Sequence, residues 1–356
     1  MKVCILGGGI TSLTLAKALA KLDIKVDIYS NEINKAYDKS RTLGISKSNI
    51  NFFNQNILNI NKLLWEISKI KIYSESLKNQ QILNFEDDTK KLFSMIRNFE
   101  LNDLLFSELK KNKLIKFKKN FKYYSSNKNG YKLIFNCDLN NSLTKKFFFN
   151  NISKDYKSIA YTTIIKHQKI SNNNIASQFF TKKGPLAFLP LSSNMTSIVY
   201  SVRGNKRINL KDEIKKYNKK LKNCKLSKIH SFKLKASNLR SYYHKNVLAF
   251  GDLLHKIHPL AGQGFNMTIR DIKEIFKIIK FRIDLGLDLD SSICVDFEKN
   301  TRHKNYLFSN GVDFIYEFFN TENKINNNIF SKSAQLLGKN KTLNKFFVNY
   351  ANYGII

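Results

Sequence analysis

Residues 251–271 read GDLLHKIHPLAGQGFNMTIRD, and this stretch concentrates the side chains that could do chemistry. His255 and His258 stand at a spacing that would let both ligate one metal ion, but no third ligand follows and Pro259 breaks the turn that would align them. Packing and hydrogen bonding is the reading that remains, and no metal is expected. Asp252 follows the apolar run Val247-Leu248-Ala249-Phe250, which reads as a buried strand stopping at Gly251. Its carboxylate therefore stands at a strand's carboxyl end, the usual ligand edge of an open α/β sheet. Gly262 and Gly264 flank Gln263, and Phe265-Asn266-Met267 opens a helix running through Ile272, Ile275 and Ile279. A helix start carries free N–H groups and about half a positive charge, suited to a phosphate or an anionic ring.

The elements that must position these residues begin at the other end of the chain. Val3-Cys4-Ile5-Leu6 is a short apolar strand that runs into Gly7-Gly8-Gly9-Ile10-Thr11-Ser12 and then a helix carrying Leu13, Ala16, Leu19 and Ala20. Strand, glycine turn and helix in succession match the dinucleotide-binding fingerprint, with Ser12 in place of its third glycine. A second strand over 25–29 should end in an acid for a ribose hydroxyl; Ser30 stands there and Glu32 just beyond, so either is a candidate. Apolar spacing predicts helices over 52–70 and 93–109, while 74–91 alternates as strands do. Leu133 to Asp138 reads as a buried strand ending in an acid, with turn formation as the alternative role for Asp138. Runs at 158–166, 176–180, 186–191 and 196–202 predict an antiparallel sheet, and helices are expected over 297–319 and 329–353.

At 356 residues the chain is long enough for two interleaved domains. Lys and Arg outnumber acids 61 to 27, for a net charge of +34. Nucleic acid and anionic membranes are the usual partners of such a charge. No arginine block or stacked-aromatic motif of a nucleic-acid module accompanies it, so nucleic acid is not an expected partner. Lys is spread through the whole chain, and compositional drift explains most of the excess, leaving the rest to a membrane surface. Cys4, Cys137, Cys224 and Cys294 lack paired spacing, which fits a reducing cytoplasm. The glycines at 7–9 interrupt the first apolar run too early for a signal peptide, and no run is long enough to span a bilayer. A cytoplasmic protein, peripheral on the inner face of the cell membrane, is the expectation.

The 251–271 stretch resembles the second FAD signature of aromatic-ring flavin monooxygenases, and among them the ubiquinone-biosynthesis hydroxylases. The match runs through Gly251, Asp252, His255, His258, Pro259, Ala261, Gly262, Gln263, Gly264, Asn266 and Asp271, with Leu253 and Leu254 replacing two small residues. Residues 184–191, GPLAFLPL, are similar to the same family's GPLA-LPL segment, and residues 41–46, RTLGIS, to its arginine segment near the cofactor. The resemblance covers 3 to about 319. It implies a p-hydroxybenzoate hydroxylase-like α/β fold: a doubly wound, Rossmann-like FAD-binding domain, an inserted antiparallel β-sheet substrate domain and C-terminal helices. The corresponding division is 1–70, 93–155 and 244–285 for the FAD-binding parts, 71–92 and 156–243 for the substrate sheet, and 286–356 for the helical region.

On this resemblance FAD is held, without a covalent link, by Gly7, Gly9, Ile10, Thr11, Ser12, Glu32, Arg41, Arg97, Asp138, Gly251, Asp252, Pro259, Gly262, Gln263, Gly264, Phe265 and Asn266. Arg97 has a solvated helix-start position as its alternative, and Asp138 is followed by Leu139 where the family has glycine. The implied reaction is hydroxylation of a prenylated phenol in ubiquinone biosynthesis, using NAD(P)H and dioxygen through a flavin hydroperoxide, with no catalytic base identifiable. Alternatives are another flavin oxidoreductase of the fold, such as an oxidase or a geranylgeranyl-type reductase, or a non-catalytic FAD-binding member of a quinone-synthesis complex, which the changes at Ser12, Ser30 and Leu139 would suit. Phe314, Ile315, Phe318, Phe319, Phe346, Phe347 and Tyr350, set among lysines, are expected in the core for the first C-terminal helix, and equally in core or lipid for the last.

Overall fold

The structure is a computed structural model that describes residues 1–31, 39–86, 91–123, 130–204, 208–221, 223–325 and 327–354, without the side chains of 219, 261, 341, 343, 344, 346 and 347. Strand Lys2–Leu6 lies between Lys25–Tyr29 and Leu133–Asn136, parallel to both. Val3 to Leu6 are at most 1% exposed, because helices cover both faces of a parallel sheet and an unbroken apolar run is what such a strand requires. Ile115–Lys118 and the hairpin Tyr243–His244 with Val247–Ala249 complete six strands. Helices Ile10–Ala20, Asn98–Lys110 and Gln263–Asp284 belong to this layer, and its core joins Leu13, Leu101, Ile269 and Ile272 to the sheet.

A second, nine-stranded sheet takes Lys69–Ser74 and Gln80–Glu86 from one part of the chain and Asn151–Lys166, Ile175–Thr181, Gly184–Ser192, Met195–Arg203 and His230–Leu239 from another. Between 151 and 203 the neighbours pair antiparallel: Asn151–Lys166 with Met195–Arg203, that strand with Gly184–Ser192, and that in turn with Ile175–Thr181. A three-stranded sheet, Thr42–Ser46, Phe93–Arg97 and Trp65–Ile67, lies against it.

Two expected helices are shorter than apolar spacing predicts. The helix expected over 52–70 is Lys47–Asn56, and 65–67 and 69–74 are strands. Asparagine side chains end it: Asn54 Oδ1 accepts from Ile60 N–H at 3.0 Å, and Asn59 Oδ1 from Asn61 N–H at 3.0 Å, offering the backbone local partners that a helix would forgo. The helix expected over 93–109 begins only at Asn98, because Phe93–Arg97 is captured as a strand by Thr42–Ser46.

Helix Ser292–Ile325 spans 34 residues, about 51 Å at 1.5 Å per residue. Its buried side packs on the large sheet, with Phe319 stacked on Phe180 at 3.7 Å. Core placement holds for Phe319, 6% exposed, but Phe314 is 67% exposed and Ile315 41%: Phe314, five residues from Phe319, falls off its buried stripe. Tyr350 of helix Lys341–Tyr353 stacks on Phe308 at 5.1 Å, while the Phe346 and Phe347 side chains lie outside the description. No described helix is long and apolar enough to cross a membrane.

Candidate functional site

Two glycine turns 240 positions apart meet at the carboxyl edge of the parallel sheet. Gly251 has φ +66°, and a Cβ there would stand 2.7 Å from Thr11 Cγ2, so only glycine lets the end of strand Val247–Ala249 close onto the first turn of helix Ile10–Ala20. That turn has no side-chain cap and no acid, leaving the N–H groups of Ile10, Thr11 and Ser12 with the positive end of the helix. A Cβ on Gly9 would meet nothing within 4 Å, so the open side of the turn faces free space. Ser12, 1% exposed, fills the third position, and Ser30 closes on Gly8 from the next strand. Asp252 is exposed beside them. Burial, with the Asp138 and Asp252 carboxylates adding to it, pushes the Cys137 thiol up to about 12; this cysteine stays protonated between the two turns. Glu32 lies outside the described residues.

Asp138 sits at the end of Leu133–Asn136, where its Oδ1 accepts from Asn140 N–H at 2.9 Å and its carbonyl from Thr144 Oγ1 at 2.7 Å. Those bonds form the turn into helix Ser142–Phe147. Its position is at the same edge as Gly7 and Asp252, and its carboxylate already serves the turn.

The second half of the site is the start of helix Gln263–Asp284. Gly262 caps it at φ +65° with its Cα face 3.2 Å from Gly44 N for a built Cβ, whereas a Cβ on Gly264 would meet open space. The Gln263 side-chain oxygen is buried and accepts no hydrogen bond among the described residues. Pro259 is half-buried and Phe265 is 7% exposed in the core. Asn266, 1% exposed, is a clamp: its Oδ1 accepts from Ser46 N–H and from Asn49 Nδ2, both at 2.9 Å, and its Nδ2 donates to Gly44 O at 2.9 Å. Strand Thr42–Ser46 is thereby fixed across the helix start. Arg41 is exposed at the head of that strand. Arg97, opposite Thr42, is occupied by Glu100 at 3.1 Å and the Met195 sulfur at 2.9 Å.

The two histidines diverge. His255 Nε2 bonds Asp271 Oδ2 at 2.5 Å, and Asn305 Nδ2 donates to Asp271 Oδ1 at 3.0 Å, all three buried. This chain of bonds ties the 251–271 stretch to the long helix. His258 is 1% exposed, edge-on to Tyr156 at 4.8 Å and tilted over Tyr316 at 4.4 Å. Neither of its ring nitrogens has a hydrogen-bond partner among the described residues. Burial, reinforced by Lys154, lowers its pKa to about 3, so the imidazole is neutral.

Against the three-stranded sheet lies one face of the large sheet, to which strand Gly184–Ser192, the GPLA-LPL segment, contributes. Cross-strand pairing aligns Tyr161, Tyr200, Leu186, Phe179 and Tyr73 in one row, and these large residues pack on helix Leu210–Tyr217. The next row, Thr162, Val199, Ala187, Gln178 and Ile72, points the other way, since side chains alternate along each strand. Two positions further along one direction, Ala160 and Phe180 pack on the long helix with Leu260. In the other direction, Ile164 and Ala176 pack on Ile67 and Met95 of the three-stranded sheet. Between these two patches Thr162, Val199 and Gln178 are half-buried and Ala187 is 7% exposed. Thr42 Oγ1 donates to Ser197 Oγ at 2.9 Å, bringing the strand held by Asn266 against this face. The resemblance of 184–191 was the available sequence signal, and it covers only Ala187 of this row.

The site is thus a glycine-lined, anion-favouring edge under a sheet face carrying a row of smaller residues, and the fold is the p-hydroxybenzoate hydroxylase-like fold of FAD-dependent monooxygenases. It matches p-nitrophenol 4-monooxygenase of Pseudomonas putida with a TM-score of 0.79 at 11% identity over 100% of this chain and 99% of that one. It also matches Klebsiella pneumoniae HpxO, crystallised with FAD and uric acid, with a TM-score of 0.75 at 10% identity over 99% and 97%. No protein-family model matches. In sequence the chain is similar to ubiquinone biosynthesis hydroxylases. It is 24% identical to the mitochondrial ubiquinone biosynthesis monooxygenase COQ6 of Schizosaccharomyces pombe over 276 residues, 63% of this chain and 57% of that protein. With the 3-demethoxyubiquinol 3-hydroxylase of Escherichia coli it shares 29% over 152 residues, 40% and 39% of the two chains. The match spans about half the length of such relatives or less.

Proposed function

We propose that this protein is an FAD-dependent monooxygenase that hydroxylates the aromatic ring of a prenylated phenol in ubiquinone biosynthesis, consuming NAD(P)H and dioxygen. The observation that carries the proposal is the convergence of the 7–12 and 251–264 turns on one edge, where Gly251 closes onto Thr11. The residues fit the cofactor: the open sides of Gly9 and Gly264, the uncapped helix start at Ile10, the exposed Asp252 and the unpartnered Gln263 oxygen all suit a dinucleotide carrying phosphates, hydroxyls and a polar ring. In this reading residues 7–12 receive the pyrophosphate, Asp252 a hydroxyl-bearing stem, and the helix start at Gly264 the ring edge that gains negative charge on reduction. Ser30 or Glu32, Arg41, Arg97, Asp138, Pro259 and Phe265 belong to the proposed contact set, as does Asn266, whose bonds position strand Thr42–Ser46. The division of the chain into cofactor, substrate and C-terminal regions is part of the same proposal.

Bound FAD would supply hydride acceptance from NAD(P)H and activation of dioxygen toward an electron-rich ring. This chain's own residues bind the ring, orient it and exclude water: Ala187 and Val199 offer a shallow apolar floor, and the rings of His258, Tyr156 and Tyr316 close the neighbouring end, with Lys154 and Arg203 set over the two tyrosines.

Docking on an anionic membrane at the cytoplasmic face is a further part of the proposal. Leu307, Phe314 and Ile325 fall on one side of the long helix at 52%, 67% and 53% exposure, and Leu336 and Leu337 of the next helix are 67% and 50% exposed. Phe314, Phe318 and Phe330 join the two helices in ring contacts of 5.9 and 4.7 Å, and Lys304, Lys324, Lys332 and Lys339 are exposed around them. Each such lysine contributes on the order of 1 kcal/mol near an anionic surface, which suits access to a substrate dissolved in lipid or held by a quinone-synthesis complex.

The decisive experiment purifies the protein with its flavin and supplies NAD(P)H, a prenylated phenol and isotopically labelled dioxygen. Label in the product ring is expected. Flavin reduction without labelled product would assign an oxidase or reductase, and protein that cannot be loaded with FAD would overturn the reading. Co-sedimentation with anionic but not neutral vesicles, weakened by salt, is expected for the docking face; equal binding to both would remove it.

A further inference from the structure

We infer that Gln178 is the specificity-determining residue that reads a ring oxygen of the substrate, an inference that rests on the proposed hydroxylase reading. In the row between the two packed patches of the sheet, Thr162 and Gln178 carry the polar groups, and Val199 and Ala187 lie between them. Three strand spacings separate the ends, about 14 Å, room for a flat ring lying over the two small residues. Gln178 stands directly opposite Ala187 on one side and Ile72 on the other. Ala187 is the shortest side chain of the row, so the floor is deepest beside the carboxamide. Ile72 continues the row as an apolar surface packed toward Ala334 and Phe180.

The chemistry of this end is specific. Gln178 is half-buried in the middle of a sheet and its neighbours along the row are hydrocarbon. A carboxamide both donates and accepts, so it can take a phenol O–H or give an N–H to a ring oxygen. Charge is absent from the row, which disfavours carboxylated rings and suits a neutral phenol bearing an apolar tail. A ring that brings an oxygen to Gln178 exchanges water for a fixed partner; a ring lacking it leaves the amide dry and unpaired.

The test uses the flavin-loaded protein and its Gln178→Leu and Gln178→Asn variants, with 2-geranylphenol and geranylbenzene, which lacks the hydroxyl. Ligand binding is read from the perturbation of the flavin spectrum, and kcat and KM from NAD(P)H consumption. Wild type should bind the phenol about tenfold or more tightly than the hydrocarbon. Gln178→Leu should erase that ratio by weakening the phenol alone, raising KM more than it lowers kcat, and Gln178→Asn should keep part of it. FAD content should be the same in all three proteins. A ratio unchanged in Gln178→Leu, or equal weakening of both ligands, overturns the inference. Failure of the underlying hydroxylase reading is distinguishable, because it would appear in wild type as phenol binding without phenol-dependent NAD(P)H consumption while the binding ratios still judge Gln178.

Discussion

The carboxyl edge of the parallel sheet and the open face of the large sheet bound the same site but are built by different means. The edge is made of two contiguous turns, 7–12 and 251–264, whose backbones do the work. The face is made of single side chains from several strands, none adjacent in sequence. Backbone sites demand glycine at fixed positions and leave motifs, whereas a sheet face demands only that alternate residues be small, which ordinary packing also permits. The edge should therefore fail on single substitutions that intrude on backbone, and the face should tolerate change and respond in selectivity.

The largest effect tests the edge. Gly251→Val places a branched side chain where a Cβ is already 2.7 Å from Thr11 Cγ2, at φ +66°. Overpacking of about 1–3 kcal/mol and a left-handed residue at about 1–2 kcal/mol should abolish flavin retention and lower the melting temperature. Gly251→Ala with Thr11→Ser, which removes Cγ2, should recover part of the loss. Flavin absorbance per protein and thermal unfolding measure both, and full flavin retention in Gly251→Val would break the contrast between edge and face.

Asn266→Ala comes next. It deprives the buried Ser46 N–H and Gly44 carbonyl of partners, each worth about 1–3 kcal/mol when left unpaired. A loss of about 3 kcal/mol in denaturant unfolding is expected, and flavin affinity should fall with it because strand Thr42–Ser46 loses its anchor. A smaller third effect is expected at Asp252, whose exposed carboxylate has no role in the fold's interior. Asp252→Ala should cost about 1.5–3 kcal/mol of FAD affinity, the worth of a hydrogen bond to a charged group, with unchanged melting of the flavin-free protein. Loss of stability without loss of affinity would move Asp252 from the ligand to the fold.

The fold class and the meeting of the two turns were legible because strand, glycine turn and helix follow one another in order at 3–20 and again at 247–279. The clamp by Asn266 was not, since its partners Ser46, Gly44 and Asn49 lie more than 200 positions away and sequence alone gives no reason to pair them. Helix ends were misplaced where tertiary pairing captured Phe93–Arg97 and where asparagines at 54, 59 and 61 bonded locally. Arg97 lies at the end of strand Phe93–Arg97, and its guanidinium is held by Glu100 one helical turn on and by Met195 of a strand 98 residues away. The row ending in Gln178 required the register of four strands, which alternation leaves undetermined.

The smallest expected effect lies where edge and face adjoin, at His258. Both its nitrogens are buried without a described partner, between Tyr156 and Tyr316, so Phe at this position removes two unsatisfied atoms while keeping a ring. His258→Phe should be neutral to stabilising by about 1 kcal/mol near pH 7, as expected when an unpaired polar group is replaced by an apolar one of similar shape. The pH dependence separates this from a simple packing gain. Burial and Lys154 lower the histidine's pKa from 6.5 to about 3, with Glu317 opposing, so the folded protein holds the neutral ring and the unfolded chain binds the proton. The favourable state is complete above pH 6.5 and is lost progressively as pH falls from 6.5 toward 3. Wild type should therefore lose stability across that interval faster than His258→Phe, and the gap between their melting temperatures should widen with acid. Parallel curves would mean that His258 finds a partner for its proton, placing a polar ligand or water at the end of the sheet face and making this boundary part of the site's chemistry.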